Sequence, residues 1–153
     1  MAERKETILG LLLMGAASLA ILFAAWLALP VPVVKDSLQT EILSVHVHGE
    51  GGYQDMVQRQ TARAITDHMA GCRERHTLRR AGKVLEGAPE IQVCFRTEDT
   101  YRVAFLGNSQ EPGTTVGWTV DQDRKGLAAR VRGPEALADY ILEQIGEELF
   151  PDV

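Results

Sequence analysis

The sequence predicts a mixed α+β protein in which one N-terminal membrane helix precedes a small antiparallel sheet with helices packed on it. The first observation is a stretch from Thr7 through Val34 that contains no ionisable residue. The second is a series of segments that alternate apolar and polar residues between short polar turns, as antiparallel strands do. The third is a pair of stretches with helical periodicity. The 153 residues leave room for one domain after the apolar stretch.

The apolar stretch is long enough to cross a membrane. At 1.5 Å per residue, Ile8 to Leu29 spans about 33 Å, against a hydrocarbon core of about 30 Å. A secretory signal peptide is the alternative, but its apolar region runs only about 7–15 residues and ends in a small-x-small cleavage site. Here the best cleavage candidate, Ala28, has bulky Trp26 shortly before it. We therefore predict an uncleaved membrane helix.

The basic residues that flank this helix predict its orientation. Arg4 and Lys5 precede it, whereas Lys35 alone follows it closely. Lys and Arg are enriched on the cytoplasmic side, so the N-terminus is expected in the cytoplasm and the domain in the periplasm or outside the cell. The predicted segments are a short tail (1–7), the membrane helix (8–29), a linker (30–41) and the globular domain (42–153).

Small residues recur along the predicted membrane helix. Alanines occur at every fourth position, at Ala16, Ala20, Ala24 and Ala28, and Gly15 precedes the first of them. Small side chains at this spacing let a second membrane helix approach closely. The alternative is that such a ladder arises by chance, because alanine is common in membrane helices. We expect this side of the helix to pack against another helix.

The first half of the domain is predicted as a strand and a helix. Residues 42–48 alternate, with Leu43, Val45 and Val47 on one side. An amphipathic helix is expected from Gln54 to about Met69. The following segment, Arg73 to Leu85, is interpreted as a continuation of that helix or as a second short helix.

The second half is predicted as two hairpins and a final helix. Ile91, Val93 and Phe95 alternate before a turn at residues 97–100, and a second pair of strands turns at residues 121–126. The final helix opens at Gly133-Pro134-Glu135. Its predicted buried ridge is Leu137, Ile141, Ile145 and Leu149, and its predicted acidic ridge is Glu135, Asp139, Glu143 and Glu147.

Two sets of side chains have the chemistry of metal ligands. His46 and His48 share a strand face, while His68, Cys72 and His76 recur every four residues on a possible helix. The helix should cover the strand face opposite to His46 and His48, so the two sets are not expected to meet. We predict no metal site, with His46, His48 and His68 as the weak candidates, and no cofactor.

The two cysteines, Cys72 and Cys94, leave two interpretations open. In an oxidising compartment they could form one disulfide, worth roughly 3 kcal/mol through loss of chain entropy. Alternatively they are unpaired thiols, because Cys72 lies on the apolar side of the helix and Cys94 alternates with Val93 and Phe95.

Basic residues are concentrated between positions 73 and 83, where Glu74 is the one acid. Such a run can bind lipid phosphates or an acidic partner, although most such runs are solvated surfaces. The candidate contact residues are Arg73, Arg75, Arg79, Arg80 and Lys83. The four charged side chains before the membrane helix cancel, so the net charge of −5 belongs to the domain. An acidic domain is not typical of nucleic-acid binding, and we predict no nucleic-acid partner.

The sequence contains no phosphate-binding loop, nucleophile elbow, HExxH motif or paired-carboxylate constellation, so we predict neither an enzyme nor a small-molecule substrate. The expected function is an accessory subunit that packs its membrane helix against integral membrane protein subunits, in contact with membrane lipid. One alternative is a membrane-tethered module that binds a soluble protein. Another is a metal-binding or redox protein that uses the histidines or cysteines.

Overall fold

The computed structural model describes residues 1–47, 53–54, 59–84, 90–98, 100–107 and 117–149. It confirms the predicted mixed α+β class, with a long apolar helix followed by an antiparallel sheet and helices. The helices are α1 (Ala2–Ala28), α2 (Arg59–Gly71), α3 (Ala81–Val84) and α4 (Glu135–Leu149). The strands are β1 (Val31–Pro32), β2 (Thr40–Val47), β3 (Tyr53–Gln54), β4 (Arg73–Arg80), β5 (Ile91–Thr97), β6 (Thr100–Leu106), β7 (Gly117–Asp121) and β8 (Leu127–Arg132).

The strands form one sheet in the order β1-β4-β8-β7-β6-β5-β2-β3, with antiparallel neighbours throughout. Strands β5 to β8 follow one another in sequence and in space, which confirms both predicted hairpins. Each hairpin turn holds one residue at positive φ, Glu98 at 52° and Arg124 at 56°. Strand β4 then joins the far side of β8, and β1 pairs with the outer edge of β4.

The interpretation of residues 73–85 as a helix is wrong, because most of this segment is strand β4. Its arginines, glutamate and leucine are good helix formers in isolation, which explains the error. The pairing partner β8 overrides that preference, with Glu74 opposite Val131 and His76 opposite Ala129. A register shift between His76 and Arg80 interrupts the ladder before α3 begins.

A β-bulge in β2 changes which residues face the core. The alternation predicted Leu43, Val45 and Val47 on one side, but the register shifts between Ile42 and Ser44. Because a bulge adds one unpaired residue, the side chains before it change face. Ile42 therefore packs on the core with Val45 and Val47 in place of Leu43.

The sheet has two differently covered faces. We call the face under α2 and α4 the inner face, and its core includes Val93, Phe95 and Leu106, each essentially unexposed. Leu137 and Ile141 of α4 pack here, as predicted, and each contributes roughly 1.5–3 kcal/mol through burial. The side chains of Ile145, Glu147 and Leu149 lie outside the described residues, while Glu135, Asp139 and Glu143 are exposed.

We call the opposite side of the sheet the outer face. A smaller hydrophobic cluster lies here, formed by Val103, Phe105, Val120 and Ala128 together with Ala81 from α3. Trp118 packs partly buried against its edge. Among the described residues, the outer face therefore has a smaller hydrophobic cluster than the inner face.

The segment predicted as a linker, residues 30–41, is part of the folded domain. Strand β1 pairs with β4, and the backbone N–H of Val33 donates to the carbonyl of Cys72 at 3.2 Å. Val33 and Val34 are 4% and 3% exposed and belong to the inner core. Two residues, Leu29 and Pro30, separate the end of α1 from the sheet.

Candidate functional site

The junction between α1 and the sheet is built from stacked rings and strand pairing. The indole of Trp26 stacks on the imidazole of His76, with ring centroids 4.3 Å apart and planes inclined by 8°. Just beyond, Val31 pairs with Glu74 and Pro32 with Arg73. Because β1 and β4 are antiparallel, β4 runs back toward α1 after Glu74. The end of β4 that precedes α3 is therefore the end nearest the apolar helix.

Outside this junction, α1 makes little contact with the domain. Ala16, Ala20, Ala24 and Ala28 are all exposed and form a continuous, slowly turning ridge. Gly15 is also exposed, but at about 100° per residue it lies well around the helix from Ala16 and is not part of this ridge. The described part of the domain thus leaves the ridge of small side chains uncovered.

A cavity of about 530 Å³ opens on the inner face beside the junction. Its apolar wall includes Trp26, Val31 and Val33, and its polar lining includes Glu74, Arg102 and His76. The sequence does not predict this site, because part of its wall lies in residues 30–41, which are predicted as a linker, and its floor comes from strands distant in sequence.

The floor of the cavity holds a buried ion pair. One guanidinium nitrogen of Arg102, Nη2, donates to both carboxylate oxygens of Glu74 at 2.9 Å and to the hydroxyl of Thr119 at 3.0 Å. The Thr119 hydroxyl donates in turn to the Glu74 carboxylate. The other nitrogen, Nη1, donates to the carbonyl of Val33 at 3.4 Å. The pair therefore ties together β4, β6, β7 and the segment after β1.

This network suits a structural role better than a reacting one. Glu74 and Thr119 line the cavity but are only 4% and 1% exposed, so little of either side chain is accessible from it. The carboxylate is already bound by Arg102 and Thr119, as a buried charge needs to be. The network fixes the sheet at the place where α1 joins it.

Strands β4 and β8 gather arginines on the outer face. Arg73 lies opposite Arg132 and Arg75 lies opposite Arg130. The guanidinium of Arg79 lies 5.7 Å from the centre of the Trp118 ring, and that of Arg130 lies 5.4 Å from it. Of the residues predicted as a contact run, Arg80 is exposed beside Leu127 at the strand end, and Lys83 lies in α3. Sequence reasoning missed Arg130 and Arg132, because only the strand register brings them to Arg73 and Arg75.

The two cysteines are free, and the disulfide interpretation is wrong. Cys72 packs in the inner core, whereas Cys94 packs against the outer cluster, and three strands separate β4 from β5. The Cys72 thiol donates to the carbonyls of His68 and Gly133, both at 3.5 Å. Burial raises the pKa of the Cys72 thiol, and the nearby charge of Glu135 raises it further.

The candidate metal ligands are dispersed. His46 lies on the outer face, with its ring nitrogen 3.2 Å from the hydroxyl of Ser44. His68 lies on α2 and stacks on Tyr140 at 4.5 Å, while His48 lies outside the described residues. The helical spacing of His68, Cys72 and His76 does not persist, since His76 is in a strand. Across the described ranges, no three His, Cys, Asp or Glu side chains cluster to hold a metal ion.

No protein-family model, curated protein or solved structure matches this chain. In the part of the chain that the structure describes, one helix, from Glu3 to Ala28, is long and apolar enough to span a membrane. Its side chains are not buried by the domain. The described residues thus present three features with functional potential: the junction, the cavity beside it, and the arginines of β4 and β8.

Proposed function

We propose that this chain is a single-pass membrane protein that serves as an accessory subunit of an integral membrane complex. Helix α1 packs against helices of other subunits, and the domain occupies a fixed position on the periplasmic or outer surface. The observation that carries this proposal is the junction, where the sheet begins two residues after α1 ends.

A tethered binding module would be expected to have a flexible linker, which lets the domain reach its partner over a range of positions. Here the chain pairs with β4 almost at once, and the stacking of Trp26 on His76 adds a second attachment. Such a junction holds the domain at one height and orientation relative to the helix. Fixed geometry benefits a subunit that completes a larger assembly.

The exposed alanines of α1 support helix packing. Lipid chains do not drive two apolar helices together, so contacts in membranes depend on close approach of small side chains and on van der Waals packing. The ridge from Ala16 to Ala28 is uncovered by the chain's own domain and is available to another helix. We infer that this ridge, and not the opposite side with Leu11 and Leu22, faces the partner.

The orientation with the N-terminus inside is part of the same proposal. It rests on Arg4 and Lys5 against Lys35. Protease added to intact spheroplasts that carry an epitope tag at either end of the chain tests it. The proposed orientation requires digestion of the domain and its C-terminal tag while the N-terminal tag is retained; the reverse pattern contradicts it.

Co-purification tests the accessory role. The tagged chain is extracted in a gentle detergent, and the proteins that migrate with it on a native gel are identified by mass spectrometry. We expect integral membrane subunits in fixed stoichiometry. The variant Ala20→Leu with Ala24→Leu adds bulk to the ridge and should abolish the association.

Ser18→Leu is the matched control, because Ser18 lies on the far side of α1 from the centre of the ridge. It places one bulky leucine on that far side and should leave the complex intact. A chain that migrates alone, or a complex that the ridge variant and the control disrupt equally, would refute the accessory role.

A further inference from the structure

The outer face carries five arginines on two neighbouring strands, which we call the arginine surface: Arg73, Arg75, Arg79, Arg130 and Arg132. Directly opposite residues of an antiparallel pair have Cβ atoms about 4.5–5.5 Å apart. Arg73 with Arg132 and Arg75 with Arg130 are therefore two pairs of like charges side by side. Like charges in this position destabilise a sheet.

No carboxylate in the described parts of the chain forms a salt bridge with the arginine surface. The ion pairs found among the described residues join Arg96 to Glu41 and Arg102 to Glu74, and neither pair includes one of these five arginines. Arg79 and Arg130 instead lie over the ring of Trp118. The Nε of Arg75 is the one buried side-chain nitrogen or oxygen in these ranges that has no hydrogen-bond partner.

We propose that the arginine surface binds an extended acidic segment of a partner protein. Carboxylates would form two-pronged hydrogen bonds with the guanidinium groups and relieve the repulsion between the opposed pairs. Arg73 and Arg75 point to one face two residues apart, which matches the spacing of alternate side chains along an extended peptide. Trp118 offers an apolar contact between Arg79 and Arg130.

The extent of the surface favours a polypeptide over lipid headgroups. From Arg79 to Arg73 the strand runs about 20 Å, at roughly 3.3 Å per residue, away from the end of the sheet nearest α1. The headgroup layer of a membrane is only about 5–8 Å thick on each side. In the anchored arrangement proposed above, phosphates would reach Arg79 and leave Arg73 and Arg132 unpaired.

This inference goes beyond the accessory role and does not use the alanine ridge. Packing of α1 concerns the membrane helix, whereas the arginine surface is on the domain. A failure of the Ala20→Leu with Ala24→Leu experiment therefore leaves the arginine surface untouched, and the reverse also holds.

Peptide binding to the full-length protein tests the inference. The chain is placed in nanodiscs of phosphatidylcholine alone, which removes anionic lipid as a competitor. The probe is a fluorescein-labelled peptide of about 12 residues in which glutamate alternates with serine, long enough to span the surface. Fluorescence anisotropy should report binding that weakens as salt is raised. A matched lysine–serine peptide should not bind.

Two double variants distinguish binding at the arginine surface from nonspecific attraction to positive charge elsewhere on the domain. Arg75→Gln with Arg130→Gln should weaken binding of the acidic peptide by about tenfold or more, because it removes one opposed pair and one of the two arginines that lie over Trp118. Arg59→Gln with Arg63→Gln removes the same charge from exposed positions on α2 and should change the affinity by less than about twofold. The melting temperature of each variant checks that the domain stays folded.

Four outcomes would overturn the inference. The acidic peptide could fail to bind, or the α2 variant could weaken it as much as the sheet variant. In a parallel assay, vesicles with phosphatidylglycerol could bind through Arg75 and Arg130 while the peptide does not, which would assign the surface to lipid. Concentration-dependent dimerisation that Arg75→Gln with Arg130→Gln abolishes would assign it to a second copy, through exposed acids such as Glu135 and Asp139.

Discussion

The two faces of the sheet differ in the environment they provide for arginine side chains. On the inner face, Arg102 is largely buried and donates hydrogen bonds to Glu74, Thr119 and the carbonyl of Val33. On the outer face, five arginines are gathered on β4 and β8 without a carboxylate in the described parts of the chain. The same side chain is thus internally satisfied on one face and left with unused donors on the other.

The difference follows from what each face must do. A buried guanidinium without its counter-charge would destabilise the fold strongly, so Arg102 can exist only where its acceptors are in place. Four arginines of the arginine surface are exposed to water, and Arg75 is partly buried. The repulsion between opposed residues there costs only a fraction of a kcal/mol to about 1 kcal/mol per pair. The inner arrangement stabilises the junction, whereas the outer arrangement gives up stability and retains binding capacity.

Loss of the inner carboxylate gives the largest expected effect. Glu74→Gln keeps the shape of the side chain and removes the charge that faces Arg102. We expect the free energy of unfolding to fall by about 3–5 kcal/mol, because a buried cation is left without its partner. Urea denaturation of the full chain in mild detergent measures the change, with the fluorescence of Trp26 and Trp118 as the signal for unfolding.

Two further variants sharpen this test. Glu41→Gln breaks the pair with Arg96, whose side chains are 57% and 44% exposed, and should cost less than about 1 kcal/mol. The double variant Glu74→Met with Arg102→Met removes both charges together and should be more stable than Glu74→Gln, because no unpaired ion remains. Equal losses for Glu74→Gln and Glu41→Gln would show that the inner pair is not effectively buried.

Removal of an outer arginine should have the opposite sign. Arg130→Gln relieves the repulsion with Arg75 and is expected to raise the free energy of unfolding by roughly 0.2–1 kcal/mol. Arg63→Gln on α2 is the control, and a change within about ±0.5 kcal/mol is expected there. The same denaturation experiment measures both. A clear loss of stability in Arg130→Gln would mean that this arginine supports the fold through Trp118.

The sequence predicted the inner face better than the outer one, for physical reasons. Alternating apolar residues identify β5 to β8, since one side of each strand is buried. Strand β4 has no such alternation: its inward positions hold Glu74 and His76 and its outward positions hold arginines. The inward charge is tolerated only because Arg102 lies opposite it in space, and no local pattern reports a partner 28 positions away.

The candidate sites were predicted to a lesser degree. The alanine ridge depends on helical periodicity alone, so its geometry follows directly from the sequence. The sequence predicted the part of the arginine surface that lies on β4, including Arg73 and Arg75. The part on β8, Arg130 and Arg132, could not be predicted because it depends on the register between the two strands. The cavity was not visible at all, because Pro30 and Pro32 suggested a linker where the chain in fact pairs with β4.

The smallest expected effect is on the pH dependence of stability, and it concerns the cysteine that lies on the inner face. Burial, followed by the charge of Glu135, raises the pKa of Cys72 above the ordinary thiol value. The folded state therefore holds this proton more tightly than the unfolded state does. Its contribution to stability is full below the ordinary thiol pKa and is lost as the pH rises through the raised pKa. Stability should consequently begin to fall as the pH passes the ordinary thiol pKa of about 8.5, and should continue to fall until the pH has passed the raised pKa of Cys72.

Other groups also titrate in alkali, so the test compares how steeply the urea midpoint changes with pH in matched variants. Cys72→Ala removes the raised thiol and should flatten this dependence, even though the loss of core packing lowers stability at every pH. Cys94→Ala, which removes the thiol on the outer face, is the matched control for the loss of a thiol. Equal slopes in all three proteins would mean that the Cys72 thiol is hydrated, and that α4 does not seal the inner face at Gly133 and Glu135.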